Sequence, residues 1–262
     1  ILGLYYSFTD WNGIAKGFQF IGMENYMKIL RDRKSYSSIL FTVKYAVLLS
    51  LLILLISLFL GLLLNQKVKG IKFIKTIYFF PAVMSPIIIG LIFNEIYYRA
   101  LPALGKAAGI GILSKSLVSD TRTAIWAILI ANIWQAVAIP TVIIIAGLQS
   151  ISQELYEVAA IDGAGWWRRF LSITLPFLAP TLTIVLVLAV KDGFLVFDYI
   201  LAITGGGPAG STNSIGTFIY QTAFESFNYS YAVANSVVLF ILIALFGFLQ
   251  IRVMSLVEAK ES

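Results

Sequence analysis

The side chains able to do chemistry fall into two groups. Residues 150–180 read SISQELYEVAAIDGAGWWRRFLSITLPFLAP, where Glu154, Glu157, Asp162, Arg168 and Arg169 crowd together with tryptophan and glycine. The second group is Asn94, Glu95, Asn132, Trp134, Gln135, Lys191, Asp192, Asp198, Tyr199 and Asn235, scattered through segments that are otherwise aliphatic. The chain contains no histidine and no cysteine. That removes the imidazole base, the thiol nucleophile and any imidazole or thiolate metal site, so neither catalytic residues nor a metal site are expected. Carboxylates remain but are sparse, which disfavours an intramembrane enzyme. Without cysteine there is no disulfide framework to indicate a redox compartment.

These side chains must be placed by apolar elements. Hydrophobic residues make up 59% of the 262-residue chain and charged residues 12%, the composition of a polytopic membrane protein rather than a soluble globule. The net charge of +6 arises from Lys and Arg that flank apolar runs. Anchoring and topology account for them, and no nucleic-acid partner is expected. Full spans are expected at residues 39–64, 76–98, 123–148, 177–203 and 232–254, since a crossing helix needs roughly 20 residues. The apolar start at residues 1–8 is shorter and reads as the end of a truncated first span, for six membrane helices in all. The expected fold is an all-α membrane helix bundle forming one transmembrane domain over residues 1–262, without internal repeats. Pro81 and Pro86 should kink or open the 76–98 span, and Pro140 the 123–148 span.

The connections are more varied. Residues 9–38 form a polar, aromatic loop with an Asn12-Gly13 turn and a short helix at residues 24–30. Residues 101–122 read as a mixed loop, and residues 204–212 as a glycine-rich turn. Lys67, Lys69, Lys72 and Lys75 mark one short connection as cytoplasmic by their density. Lys28, Arg31, Arg33, Lys34, Arg99, Lys106, Lys115 and Arg122 fall on the other side by alternation, so charge counting alone leaves the orientation open.

Within residues 150–176, Ser150 and Ser152 can cap a helix, and Ser150 with Gln153 has capping-box spacing. Ile151, Leu155, Val158 and Ala159 then lie near one face of a short amphipathic helix. Asp162-Gly163 should end it, because glycine readily takes the left-handed conformation. A second short helix at residues 164–172 carries Trp166, Trp167, Arg168 and Arg169, and Pro176 opens the next span. One reading is an anchor lying on the lipid surface. The other is a docking surface, for which the small Ala159-Ala160 pair is suited.

Glu157, Ala159, Gly163, Ile173, Leu175 and Pro176 resemble the EAA loop of binding-protein-dependent ABC importer permeases: Glu-Ala-Ala, three residues, Gly, nine residues, Ile, one residue, Leu-Pro. Val158 stands where the pattern has its first Ala. Ser7 to Trp11, Gly22 to Tyr26, Phe197-Asp198 and Thr204 to Pro208 are similar to the sugar permease branch, including the maltose and glycerol-phosphate permeases, so the resemblance covers nearly the whole chain. It implies a type I ABC importer permease fold in a bacterial plasma membrane. It also implies a second permease subunit, two cytoplasmic ATPase subunits holding ATP and Mg, and an external solute-binding protein. Glu157, Val158, Ala159, Ala160, Asp162, Gly163 and Ala164 would then form a cytoplasmic coupling helix seated on an ATPase, with Glu157 meeting a basic residue there. The sequence has no G-x-x-x-x-G-K-[ST] phosphate loop, so this chain is expected to bind no cofactor itself.

The scattered polar set suits a path for a hydroxylated solute. An ionisable group at the centre of a span costs about 2.5–3.5 kcal/mol on insertion scales, so such groups face the bundle interior or water. Lys191 and Asp192 are expected near the middle of the 177–203 span, with Lys191 and Asp198 two turns apart on one face. Asn94, Glu95, Asn132, Gln135 and Asn235 would add donors and acceptors, and Trp134 or Tyr199 an aromatic surface for a sugar ring. Each also has a plainer role in bonds between helices, the simpler reading for Asn132 and Asn235. An ion-gradient-driven secondary transporter is the alternative function, with Lys191 and Asp192 as ion relays, although the inverted repeats common in that class are not evident.

Overall fold

A computed structural model describes residues 2–66, 69–111 and 113–261. Ile1 and Lys67, which entered the expectations for the first span and the lysine-rich connection, lie outside the described residues. The elements are α1 (Leu2–Tyr6), α2 (Glu24–Arg31), α3 (Arg33–Leu64), α4 (Ile71–Phe79), α5 (Pro86–Glu95), α6 (Leu101–Ala107) and α7 (Ala124–Ala136). They continue as α8 (Ala138–Gln149), α9 (Gln153–Ile161), α10 (Trp166–Arg169), α11 (Leu175–Phe194), α12 (Asp198–Ile203), α13 (Ile215–Tyr220) and α14 (Tyr229–Glu261). Among the described residues the one strand-like feature is a single bridge between Thr9 and Phe20. Helices suit this composition because each satisfies its own backbone where no water is available.

Among the described residues, four helices are long and apolar enough to cross a membrane: Arg33–Leu64, Pro86–Ala107, Trp166–Phe194 and Tyr229–Gln250. The pair Ala124–Ala136 and Ala138–Gln149, bent by 47°, makes a fifth if counted as one span. Large apolar side chains such as Leu55, Phe59, Phe240 and Phe248 are exposed along these helices, as a lipid-facing or partner-facing surface requires.

Prolines account for most departures from the expected spans. Residues 76–98 are not one helix. Pro81 lies in a 3-10 turn (Phe80–Val83), Met84 and Ser85 are extended with ψ of 152° and 135°, and Pro86 starts α5. A residue preceding proline is driven to extended backbone by the ring, which places the break at Ser85. The helix from Pro86 then runs past Tyr98, through a wide π turn (Ile96–Ala100), to Ala107, so the start of the expected 101–122 loop is helical. A second π turn, Phe170–Thr174, joins α10 to α11 without interruption, so Pro176 sits inside a continuous helix and does not open one. These two π turns end two residues before a proline, Pro102 and Pro176, whereas a third, Gln221–Glu225, has no proline after it. Widening the turn relieves the clash between the ring and the carbonyl four residues earlier. In the 123–148 span the bend falls at Val137, beside the Ala136 carbonyl that the ring of Pro140 excludes from helical bonding.

The expected 177–203 span also differs. Its helix stops at Phe194, Phe197 has non-helical angles (φ −140°, ψ −61°), and α12 begins afresh at Asp198. Gly193 weakens the last turn and Asp198 favours a new N-terminus. Ser214 Oγ donates to the Val196 carbonyl at 2.9 Å, satisfying backbone in the break.

The chain forms two compact units, one of residues 1–47, 85–132 and 192–245, the other of residues 48–84, 133–191 and 246–262. In the first, Asn94 of α5 donates to the Ile203 carbonyl at 2.7 Å and Tyr97 Oη to the Ala127 carbonyl at 3.0 Å. Its N-terminal loop is fastened to α14: Thr9 Oγ1 lies 2.8 Å from Ser230 Oγ, and Ser230 N donates to the Trp11 carbonyl at 3.0 Å. In the second, Tyr78 Oη lies 3.1 Å from Thr141 Oγ1, and Ile53, Ile144, Leu178 and Val185 are buried.

Candidate functional site

The amphipathic helix expected near Glu157 is α9. Ser152 caps it, its Oγ accepting from Glu154 N at 3.3 Å. Ser150, the alternative cap, instead ends α8 and donates its hydroxyl to the Gly147 carbonyl at 2.8 Å. No residue of α9 is buried. Ile151, just before it, is buried, but Leu155, Val158 and Ile161 are 38%, 58% and 85% exposed. Glu157, Ala160, Asp162 and Gly163 are exposed as well, and Ala159 and Ala164 are half-buried. Gln153 Nε2 donates to Glu157 Oε1 at 3.0 Å, one turn along the same surface.

Gly163 takes a left-handed φ of +73°, and Ala164 N donates to the Ala159 carbonyl at 2.8 Å, closing the C-terminus. The chain then turns into α10, where the Trp166 ring stacks on Phe170 at 5.5 Å and meets Trp167 edge-on at 4.7 Å. Trp166 and Trp167 are both exposed. One contact escaped the sequence reading: Tyr156 Oη lies 2.9 Å from Thr174 Oγ1, tying α9 to the π turn ahead of α11. A half-buried tyrosine in a helix of exposed residues carries no sequence signal of its partner 18 positions on.

In the first unit, Asn132 is 5% exposed and donates to Tyr45 Oη at 2.9 Å. Asn235 is fully buried, accepting from Ser35 Oγ at 2.7 Å and donating to the Tyr231 carbonyl at 2.9 Å. Glu95 pairs with Arg99 at 3.1 Å on the exposed side of its helix. Tyr199 is buried, whereas Asp192 and Asp198 are exposed. Because the helix breaks at residues 195–197, Lys191 and Asp198 do not share one helical face, and Lys191 and Asp192 stand in the last turn of α11 rather than mid-span. In the second unit, Gln135 Nε2 donates at 2.6 Å to the carbonyl of Met84, which the break before Pro86 leaves outside a helix. Trp134 and Lys191 are exposed. Asn132 and Asn235 are thus buried and bond a neighbouring helix or backbone, Asn94 and Gln135 are half-buried and bond backbone, and Lys191, Asp192 and Asp198 are exposed at helix ends. Among the described residues no three His, Cys, Asp or Glu side chains converge on a metal-sized site.

Residues 53–260, which contain this exposed, capped helix, match the family described as the inner membrane component of binding-protein-dependent transport systems. The chain belongs to this family. This transport component is 40% identical over 250 residues to the multiple sugar-binding transport system permease protein MsmF of Streptococcus mutans, covering 95% of this chain and 86% of that protein. It is 36% identical over 251 residues to a probable starch degradation products transport system permease protein, AmyD of Thermoanaerobacterium thermosulfurigenes, covering 96% and 85%. Its fold matches a chain in the crystal structure of a bacterial ABC transporter involved in import of the acidic polysaccharide alginate, with a TM-score of 0.83 at 22% identity over 97% of this chain and 87% of that one. The relatives are permease proteins, not enzymes, and this transport component is a multi-pass helical membrane protein.

Proposed function

We propose that this chain is a transmembrane subunit of an ATP-driven ABC importer and forms part of the path by which a sugar crosses a bacterial plasma membrane. The observation that carries the reading is α9: a capped helix with every residue off the core, presenting Glu157 beside Val158 and Ala160, in the register of a coupling loop. The sugar is supported by the names of the relatives, which concern multiple sugars and starch degradation products. In this reading residues 1–262 form one transmembrane domain of the type I arrangement with six membrane helices, and residues 150–176 are its cytoplasmic coupling loop. The partners are a second permease subunit, two cytoplasmic ATPases that bind ATP and Mg, and an external solute-binding protein, for which the 204–212 turn is a contact. Asn94, Glu95, Trp134, Gln135, Lys191, Asp192, Asp198 and Tyr199 are the pathway candidates, whereas Asn132 and Asn235 serve the bundle.

Glu157 is assigned to a charge-assisted contact with a basic residue on the ATPase. Losing one partner of a desolvated charge pair costs about 2–5 kcal/mol, and reversing its charge adds repulsion. Glu157→Lys should therefore abolish uptake in the reconstituted complex while the subunit remains inserted. Unchanged uptake would sink the assignment.

A further inference from the structure

The helices α8, α9 and α11 of the second unit close a triangle. Its first side is covalent, because α8 passes into α9 through residues 150–152. Its second is a close approach of α8 to α11: a Cβ added at Gly147 would stand 2.5 Å from Thr181 Oγ1 and 3.0 Å from Leu178 Cδ2, so only glycine fits there. The third side is the hydroxyl pair of Tyr156 and Thr174, 2.9 Å apart. Thr174 is buried and forms the last residue of the π turn, and Tyr156 is half-buried.

Both ends of α9 are pivots. Ser152 is extended, with ψ of 132°, and Gly163 is left-handed. With two sides alone, α9 can swing about them without moving α11. A closed triangle moves as one body. We infer that Tyr156 is the positioning residue that locks α9 to α11, so that displacement of α9 by the ATPase reaches the membrane helix. This rests on reading α9 as the ATPase-docking helix.

The test is the ratio of solute moved to ATP hydrolysed. The complete complex is reconstituted in vesicles with its solute-binding protein, and radiolabelled maltose, maltotriose, raffinose and sucrose are offered. The sugar that wild type accumulates is used for every variant. If wild type accumulates none of them with ATP, the functional reading is overturned and the strut, which rests on it, falls with it. With a working wild type, Tyr156→Phe and Thr174→Val should keep ATP hydrolysis but lower solute per ATP by about twofold to tenfold, the range that one neutral hydrogen bond supports. Thr174→Ser, which retains the hydroxyl, should restore the wild-type ratio. The double variant should be no worse than the poorer single one, since both remove the same interaction. An unchanged ratio in Tyr156→Phe overturns the inference. So do equal losses in Thr174→Ser and Thr174→Val, or loss of ATPase copurification in place of lost coupling.

Discussion

Among the polar side chains of the spans, Asn132 and Asn235 are buried while Asp192 is exposed. Asn132 and Asn235 spend their amides on Tyr45, Ser35 and the Tyr231 carbonyl inside a packed unit. Interhelical hydrogen bonds of this kind contribute on average about 0.6 kcal/mol and at most about 1.7 kcal/mol in measured membrane proteins. Asn132→Leu and Asn235→Leu should each lower unfolding stability in detergent by about that amount, and uptake per folded subunit should stay near wild type. Asp192 is exposed at the end of α11, so Asp192→Ala should reverse the pattern: unchanged stability and assembly, reduced uptake. Normal transport kinetics in Asp192→Ala would make this carboxylate structural. Gln135 combines the two roles, because it also holds the Met84 carbonyl, and Gln135→Ala should reduce stability and uptake together.

At the scale of elements, α8 and α11 depend on contact without a side chain between them. Gly147→Val would force branched carbons against Thr181 and Leu178, and overpacking of this kind costs about 1–3 kcal/mol. The expected outcome is a lower melting temperature of the purified subunit and fewer assembled complexes, both measurable by size-exclusion chromatography after heating. This approach was not legible in the sequence, since nothing in a local window shows which helix Gly147 faces. Hydropathy did locate the apolar runs, because burial in lipid depends on local composition, and the end of α9 at Gly163 was legible because a left-handed glycine is a local event. The helix breaks were harder. Whether a proline kinks, opens or merely widens a helix depends on where the displaced carbonyls find partners. Met84 finds Gln135 51 residues away, and Val196, in the break after α11, finds Ser214 18 residues away. At Pro102 and Pro176 a π turn suffices and the helix continues. The sequence places the start of a new span at Pro176, whereas the helix runs through it from Trp166.

For the whole molecule the question is where the work of transport comes from. The chain carries Lys191, Asp192 and Asp198, which a gradient-driven carrier would use to relay ions, yet the last turn of α11 and the start of α12 hold them at helix ends on either side of a break. A break between two helices can hold either a solute or an ion, so these three side chains do not by themselves decide the driving force. α9 has no buried residue, as the proposed ATPase-docking helix requires, and an ion-driven carrier has no use for such a helix. In vesicles holding the complete complex, uptake should require ATP on the α9 side and should persist after a protonophore and valinomycin collapse the proton and potassium gradients. Radiolabelled sugar accumulation with and without the ionophores is the measurement. Accumulation that vanishes with the gradients while ATP is still hydrolysed would transfer the driving force to Lys191 and Asp192 and remove it from Glu157.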